Sequence, residues 1–224
     1  MKKVIVPGLV IIFLSFIIGL YLYNRMPEMM ASHWGVQGEV NGYMPRFWGL
    51  FLMPIISVAM LLLFMFIPIM DPLKANIKKF RRYYDWFILL IIIFMFYIYM
   101  LTILWNLGFR FSMVNMLLPA LGILFFYAGV LIENAKRNWS IGIRTPWTMS
   151  DDKIWEKTNK LGGKLFKISG IIAFLGLFFQ KYAFLLFIVP VIISAIYLIF
   201  YSYFEYAKRR KIRRDKHGNR KIKK

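Results

Sequence analysis

The chain has 224 residues, 60% hydrophobic and 19% aromatic, with no cysteine, two histidines (His33 and His217) and a formal net charge of +20. A soluble chain is ordinarily about half apolar, with its apolar runs broken every few residues, so a single water-soluble core is excluded. The lack of cysteine excludes a disulfide framework, a thiolate metal site and a cysteine nucleophile.

The apolar residues fall into blocks of bilayer length, about 20 residues each. The first is predicted over Val4 to Tyr23, behind Lys2 and Lys3. It begins like a signal peptide but is longer than the usual apolar region, and no small-residue cleavage pattern follows, so it reads as a retained span. The second runs from Phe47 to Met70, with Pro54 and Pro68 inside it; neighbouring helices can satisfy the carbonyls that proline frees. The third covers Trp86 to Leu107, and the fourth Met113 to Ile132. A short fifth block, Leu165 to Phe179, is joined by Gln180 and Lys181 to a sixth, Tyr182 to Tyr203. The expected fold class is therefore an all-α polytopic integral membrane protein with about six transmembrane helices.

Charge orients these spans. Of the 30 Lys and Arg residues, only Arg25, Arg46, Arg110 and Lys181 fall on one side of an alternating six-span chain. The rest collect at the N-terminus, in the links after blocks two and four, and in the tail. By the positive-inside rule both termini are expected in the cytoplasm. All seven tryptophans lie in connections or at block ends, where indole meets the headgroup layer. No Asp, Glu, Lys, Arg or His stands near the middle of any block, as a proton or ion relay would need. Ser57, Asn106 and Asn115 read as polar packing contacts between helices.

Three connections stand out. The outer one, 25–43, contains Pro27, three glycines and several aromatics, with Asn41-Gly42 as its turn pair. It could present His33, Trp34, Glu39 and Tyr43 to a ligand, or lie at the interface anchored by Trp34 and Tyr43. One His and two glutamates lack metal-ligand spacing. The inner one, 138–150, holds Gly142-Ile143-Arg144-Thr145-Pro146-Trp147, a constrained turn offering a guanidinium to lipid phosphate or a carboxylate. Behind it Ser150 is the expected N-cap of a short amphipathic surface helix, with Ile154, Trp155, Thr158 and Leu161 at helical spacing and Gly162-Gly163 as its left-handed end. The third is the basic tail from Lys208 to Lys224, expected to lie on anionic lipid of the inner leaflet. Without aromatic interleaving or a suitable fold it carries no nucleic-acid assignment. No catalytic His pair, Ser-His-Asp set or phosphate loop is found, so neither an enzyme nor a cofactor is expected.

The words Asn138-Trp139-Ser140-Ile141-Gly142-Ile143-Arg144-Thr145-Pro146-Trp147-Thr148 and Trp155-Glu156-Lys157-Thr158-Asn159-Lys160-Leu161-Gly162-Gly163 closely resemble the signature of the SdpI family. The outer loop resembles the DUF1648 domain at Pro27, His33, Gly38 and Tyr43. It departs from that pattern at Ala31, Gly35 and Asn41, where Pro, Asn and Asp are common. The resemblance implies a DUF1648-like region over 1–70, an SdpI-like region over 71–204 and a separate tail, 205–224. It also implies immunity against a secreted antimicrobial peptide, met at the outer face, and retention of a cytoplasmic repressor protein. The expected inner-site residues are Asn138, Gly142, Arg144, Thr145, Pro146, Trp147, Trp155, Asn159, Gly162 and Gly163, with Arg144 facing an acidic group and the Trp rings as interface anchors. The expected outer-site residues are Pro27, His33, Trp34, Gly38, Asn41 and Tyr43. The helix around Trp155, beside Gly162-Gly163, is the expected moving part. A small transporter or exporter, or a structural membrane subunit, is the alternative; a nearby peptide-toxin or ATPase gene would separate them.

Overall fold

In the computed structural model, which describes residues 2–35 and 37–222, eight helices and one β-hairpin follow the order of the predicted blocks. The side chains of Lys2 and Lys3, of His217 and of the tail from residue 213 onward lie outside the described residues, as do Lys223 and Lys224 altogether. Five helices are long and apolar enough to cross a bilayer: α1 (Lys2–Leu22), α2 (Arg46–Met70), α4 (Arg81–Asn106), α5 (Met113–Asn134) and α8 (Ala183–Ile222). Their outward faces carry Phe13, Ile69 and Ile193, each more than 60% exposed. Water would not tolerate so continuous an apolar surface; lipid does.

The bundle has two halves. Helices α1, α2 and α4 pack on one another, and α5 packs on α7 (Asp152–Leu175) and α8; contact between α4 and α5 joins the halves. One core cluster, with Ile77, Phe80, Tyr84 and Trp155, fills the end where the basic links gather. A second, with Met26, Met30, Leu50 and Tyr99, fills the opposite end.

Two expectations change at this level. The outer loop is not purely irregular and the fold is not wholly helical, because Met29–Trp34 (β1) and Val40–Pro45 (β2) form an antiparallel hairpin. Its turn is not Asn41-Gly42, which sits within β2. The chain reverses between Gly35 and Glu39, with hydrogen bonds from Gly35 N to Glu39 O and from Gly38 N to Gly35 O, and Gly38 takes the positive φ of 88°. Gly42 lies directly opposite His33, where a Cβ would meet the His33 Cβ at 2.9 Å, so glycine serves close strand approach rather than the turn.

The second change concerns block five. The expected short surface helix and the fifth block are one helix, α7, running unbroken through Gly162-Gly163. Those glycines are not a left-handed cap; they are packing surface. Gly163 and Gly170 on α7 face Gly129 and Gly122 on α5, and an added Cβ at any of the four would come within 2.5–2.7 Å of the partner's backbone oxygen. Pairing 122 with 170 and 129 with 163 makes the helices antiparallel, with backbones closer than any side chain would allow. Asp151, not Ser150, caps α7, accepting from the Lys153 and Ile154 amides. Six lysines and glutamates in the first two-thirds of α7 keep it outside the apolar class of the other five.

Candidate functional site

The basic end is organised by the link 135–151 and the short helix α6 (Pro146–Ser150). Asn138 is fully buried and uses every polar atom. Its Oδ1 accepts from Ser140 N and Ile141 N, and its Nδ2 donates to Lys136 O and Ile141 O. The chain then turns through Gly142 at φ 116°, where a Cβ would sit 2.6 Å from Asn159 Oδ1 and 3.0 Å from the Trp155 ring. Only glycine meets both demands at that position. Immediately after, Ile143 N donates to Asn159 Oδ1 at 2.8 Å, while Asn159 Nδ2 donates to Trp155 O. Asn159 and Trp155 are buried, and Trp155 Nε1 donates to Ala135 O at 2.8 Å. The signature thus closes on itself across the start of α7.

Thr145 caps α6 in a reciprocal box with Thr148, and Pro146 occupies the first helical turn, where its missing N–H costs nothing. Thr145 Oγ1 also donates to Ser202 Oγ at 3.0 Å, and Trp147 stacks edgewise on Tyr203, so both fasten the link to α8. Gly162 gives Ile143 and Leu198 room, with Cβ distances of 3.0 and 3.3 Å. Around this core, Arg209 pairs with Asp151 at 2.7 Å and Lys157 with Glu205 at 2.6 Å.

Two expected roles take a different form. Trp155 is a core residue, 2% exposed, and not an interface anchor, because its indole N–H is spent on a buried carbonyl. Arg144 is exposed, but its Nη1 donates to the carbonyl of Trp139, so the guanidinium braces its own loop.

Asp71 escaped the sequence reading. It is buried at the end of α2, where Oδ1 accepts from Leu73 N and Oδ2 accepts from Trp139 N and Ser140 Oγ. This one carboxylate ties the first half of the bundle to the signature loop. Its signal was an acid followed by Pro72 just after an apolar block. The glycines of α5 were likewise missed, though Gly122 and Gly129 stand seven residues apart on one helix face.

The expected outer residues lie at the other end of α2. A 25-residue helix is about 37 Å long, so the two sets are not brought together. The hairpin is seated by its inner face: Met30 is fully buried against Gly49, and Trp34 packs edgewise on Trp105. Asn106, at the end of α4, donates to Ala31 O and accepts from Ala31 N, acting as a one-residue strand on the edge of β1. Arg46 N donates to Glu28 O and Arg46 Nε to Pro27 O. His33, Asn41 and Tyr43 are exposed, with the His33 Nδ1 and Asn41 Oδ1 in hydrogen-bond contact. Among the described residues no group of three His, Cys, Asp or Glu is placed to hold a metal.

Comparison with known proteins places both ends. Residues 134–202 match the SdpI/YfhL protein family, and residues 10–58 match a domain of unknown function, DUF1648. The chain is a multi-pass membrane protein that carries an SdpI-like region beside a DUF1648-like one. The SdpI match begins where α5 ends and stops at Ser202, the residue that receives the Thr145 hydroxyl, so it encloses most of the inner cluster. The immunity protein SdpI of Bacillus subtilis (strain 168) is 28% identical over 209 residues, covering 93% of this chain and 98% of that protein. No solved structure matches. Asp71, which grips this SdpI region from α2, lies outside both matched segments.

Proposed function

We propose that this protein confers resistance to a secreted antimicrobial peptide from within the membrane it spans. It meets the peptide at the hairpin end and retains a transcriptional repressor at the basic end. The observation that carries this reading is the near-complete mutual coverage with the Bacillus immunity protein, which includes hairpin and inner cluster alike. A protein that shared only its spans with that relative would not support it.

The topology follows the same reading. Helix α7 is 24 residues long, about 36 Å, and antiparallel to α5, enough to make it the sixth crossing beside the five apolar helices. Its charged first half then belongs to the cytoplasmic boundary and its apolar second half to the bilayer. Six crossings put both termini and the basic end inside, as the distribution of Lys and Arg requires. We place the DUF1648-like region at 1–70, the SdpI-like region at 71–204 and the basic tail at 205–224, against the anionic inner leaflet. The role needs no catalysis: one bound conformation must be favoured over another. The unbroken α7 moves as a rod in this scheme, not as a segment hinged at Gly162-Gly163.

The test is survival of a toxin-sensitive bacterium expressing the full chain when challenged with a secreted peptide of the kind that SdpI-type immunity proteins answer. Survival near that given by the Bacillus relative is expected. Killing at the rate of the empty-vector strain, with membrane insertion verified, would overturn the assignment.

A further inference from the structure

Helices α4 and α5 are joined along a seam that shows two unlike openings on the same face. At the basic end lies a polar cavity of about 790 Å³, bordered by Lys79, Tyr83, Asn134 and Lys136. Further along lies an apolar groove of about 330 Å³ between Leu90, Phe94 and Tyr97 on α4 and Ala120 and Ile123 on α5. Tyr83, Leu90 and Tyr97 are spaced by seven, as are Ala120, Tyr127 and Asn134, so cavity and groove share one stripe of each helix. Two tyrosines hold the seam: Tyr127 Oη donates to Tyr83 O between the openings, and Tyr97 Oη donates to Met116 O at the far end.

The cavity's charges are unbalanced in a specific way. Each of its acids already has a cation: Asp152 with Arg137 at 2.7 Å, Glu133 with Lys167 at 2.6 Å, and Glu156 with Lys160 at 3.7 Å. Among the described residues, Lys79 meets only the neutral Asn76, and Lys136 has no acidic partner. From Tyr83 to Leu90 the helix rises about 10 Å. That is comparable to the headgroup layer, about 5–8 Å deep on each side of the hydrocarbon. Two uncompensated ammonium groups at headgroup depth, above an apolar slot at acyl depth, have the chemistry of one ligand.

We propose that the α4–α5 seam binds a single anionic glycerophospholipid, its phosphate at Lys79 and Lys136 and one acyl chain in the groove below. This rests on the membrane placement of the helices and is independent of the immunity reading. The bound lipid would sit against the α4–α5 contact that joins the two halves of the bundle.

The test uses the full-length protein in mild detergent, mixed with equal phosphatidylglycerol and phosphatidylcholine and read by native mass spectrometry. One retained phosphatidylglycerol, favoured by about tenfold or more, is expected from two lysines at a membrane surface. Lys79→Gln with Lys136→Gln should abolish the preference, and Ala120→Trp, which fills the groove, should abolish retention with both lysines intact. Arg25→Gln with Lys181→Gln, at the opposite end of the bundle, should change neither. Millimolar glycerol 1-phosphate should not displace the lipid, since it has no chain for the groove. Equal retention of the two lipids, loss only in the Arg25→Gln, Lys181→Gln variant, or displacement by glycerol phosphate would each overturn the proposal. Should Ala120→Trp fail to accumulate, Ile123→Phe gives the same readout at a half-exposed position.

Discussion

The two ends of this bundle use their distinctive residues in opposite ways. At the basic end, the most distinctive stretch of sequence spends its amide, threonine and one indole side chain on its own interior: Asn138, Thr145, Thr148, Trp155 and Asn159 are buried, and Gly142 exists to let two of them meet. At the hairpin end, the buried residues are plain ones, Met30 and Ala31, while His33, Asn41 and Tyr43 stand in the open. A distinctive motif is therefore not the same thing as a contact surface. The inner signature specifies how a link folds, and the outer strand pair specifies what is displayed.

That contrast can be broken by measuring stability and protection on the same variants. The largest effect is expected at Trp155→Ala. It removes a fully enclosed ring and strands the Ala135 carbonyl, so a loss of about 3–5 kcal/mol is expected, read as a lowered thermal midpoint in detergent. A near-normal midpoint would mean the inner cluster is a surface after all. A smaller effect is expected at Asn106→Leu, which keeps volume but removes the two bonds to Ala31, at a cost of about 1–3 kcal/mol. Because Asn106 otherwise bonds the Thr102 carbonyl of its own helix, hydrogen exchange should accelerate at Ala31 and its strand neighbours and stay unchanged around Asn159. Uniform acceleration would show that the hairpin is not a separable unit.

Much of the architecture was legible before any coordinates. Blocks of bilayer length located α1, α2, α4 and α5 to within about five residues, and the start of α8, because lipid imposes both the length and the apolar character of a span; α8 itself continues well past the predicted Tyr203, to Ile222. What misled was glycine. Gly162-Gly163 reads as a helix end in water, where glycine exposes backbone and gains entropy by leaving the helix. Against α5 the same pair is what close backbone contact requires, and the facing Gly129 lies over thirty residues away in sequence. Asn41-Gly42 failed for a related reason: the residue that needed a Gly opposite it, His33, is eight positions back from Asn41. The inner cluster was found as a segment but not as a structure. Its bonds to Asp71 and Ser202 join residues that sequence spacing cannot pair.

The central claim, that the hairpin meets the peptide while the inner cluster shapes and holds the site, is tested most directly by a paired comparison. Survival under toxin challenge would be measured per unit of folded protein for His33→Ala with Tyr43→Ala, and for Arg144→Ala. All three positions are exposed, so stability changes of less than about 1 kcal/mol are expected. The account predicts that the hairpin variant loses protection by tenfold or more at normal abundance. Arg144→Ala, which removes only a brace to the Trp139 carbonyl, should lose protection no further than its abundance falls. Full protection by the hairpin variant, with protection lost in normally folded Arg144→Ala, would contradict the account and move the contact surface to the basic end.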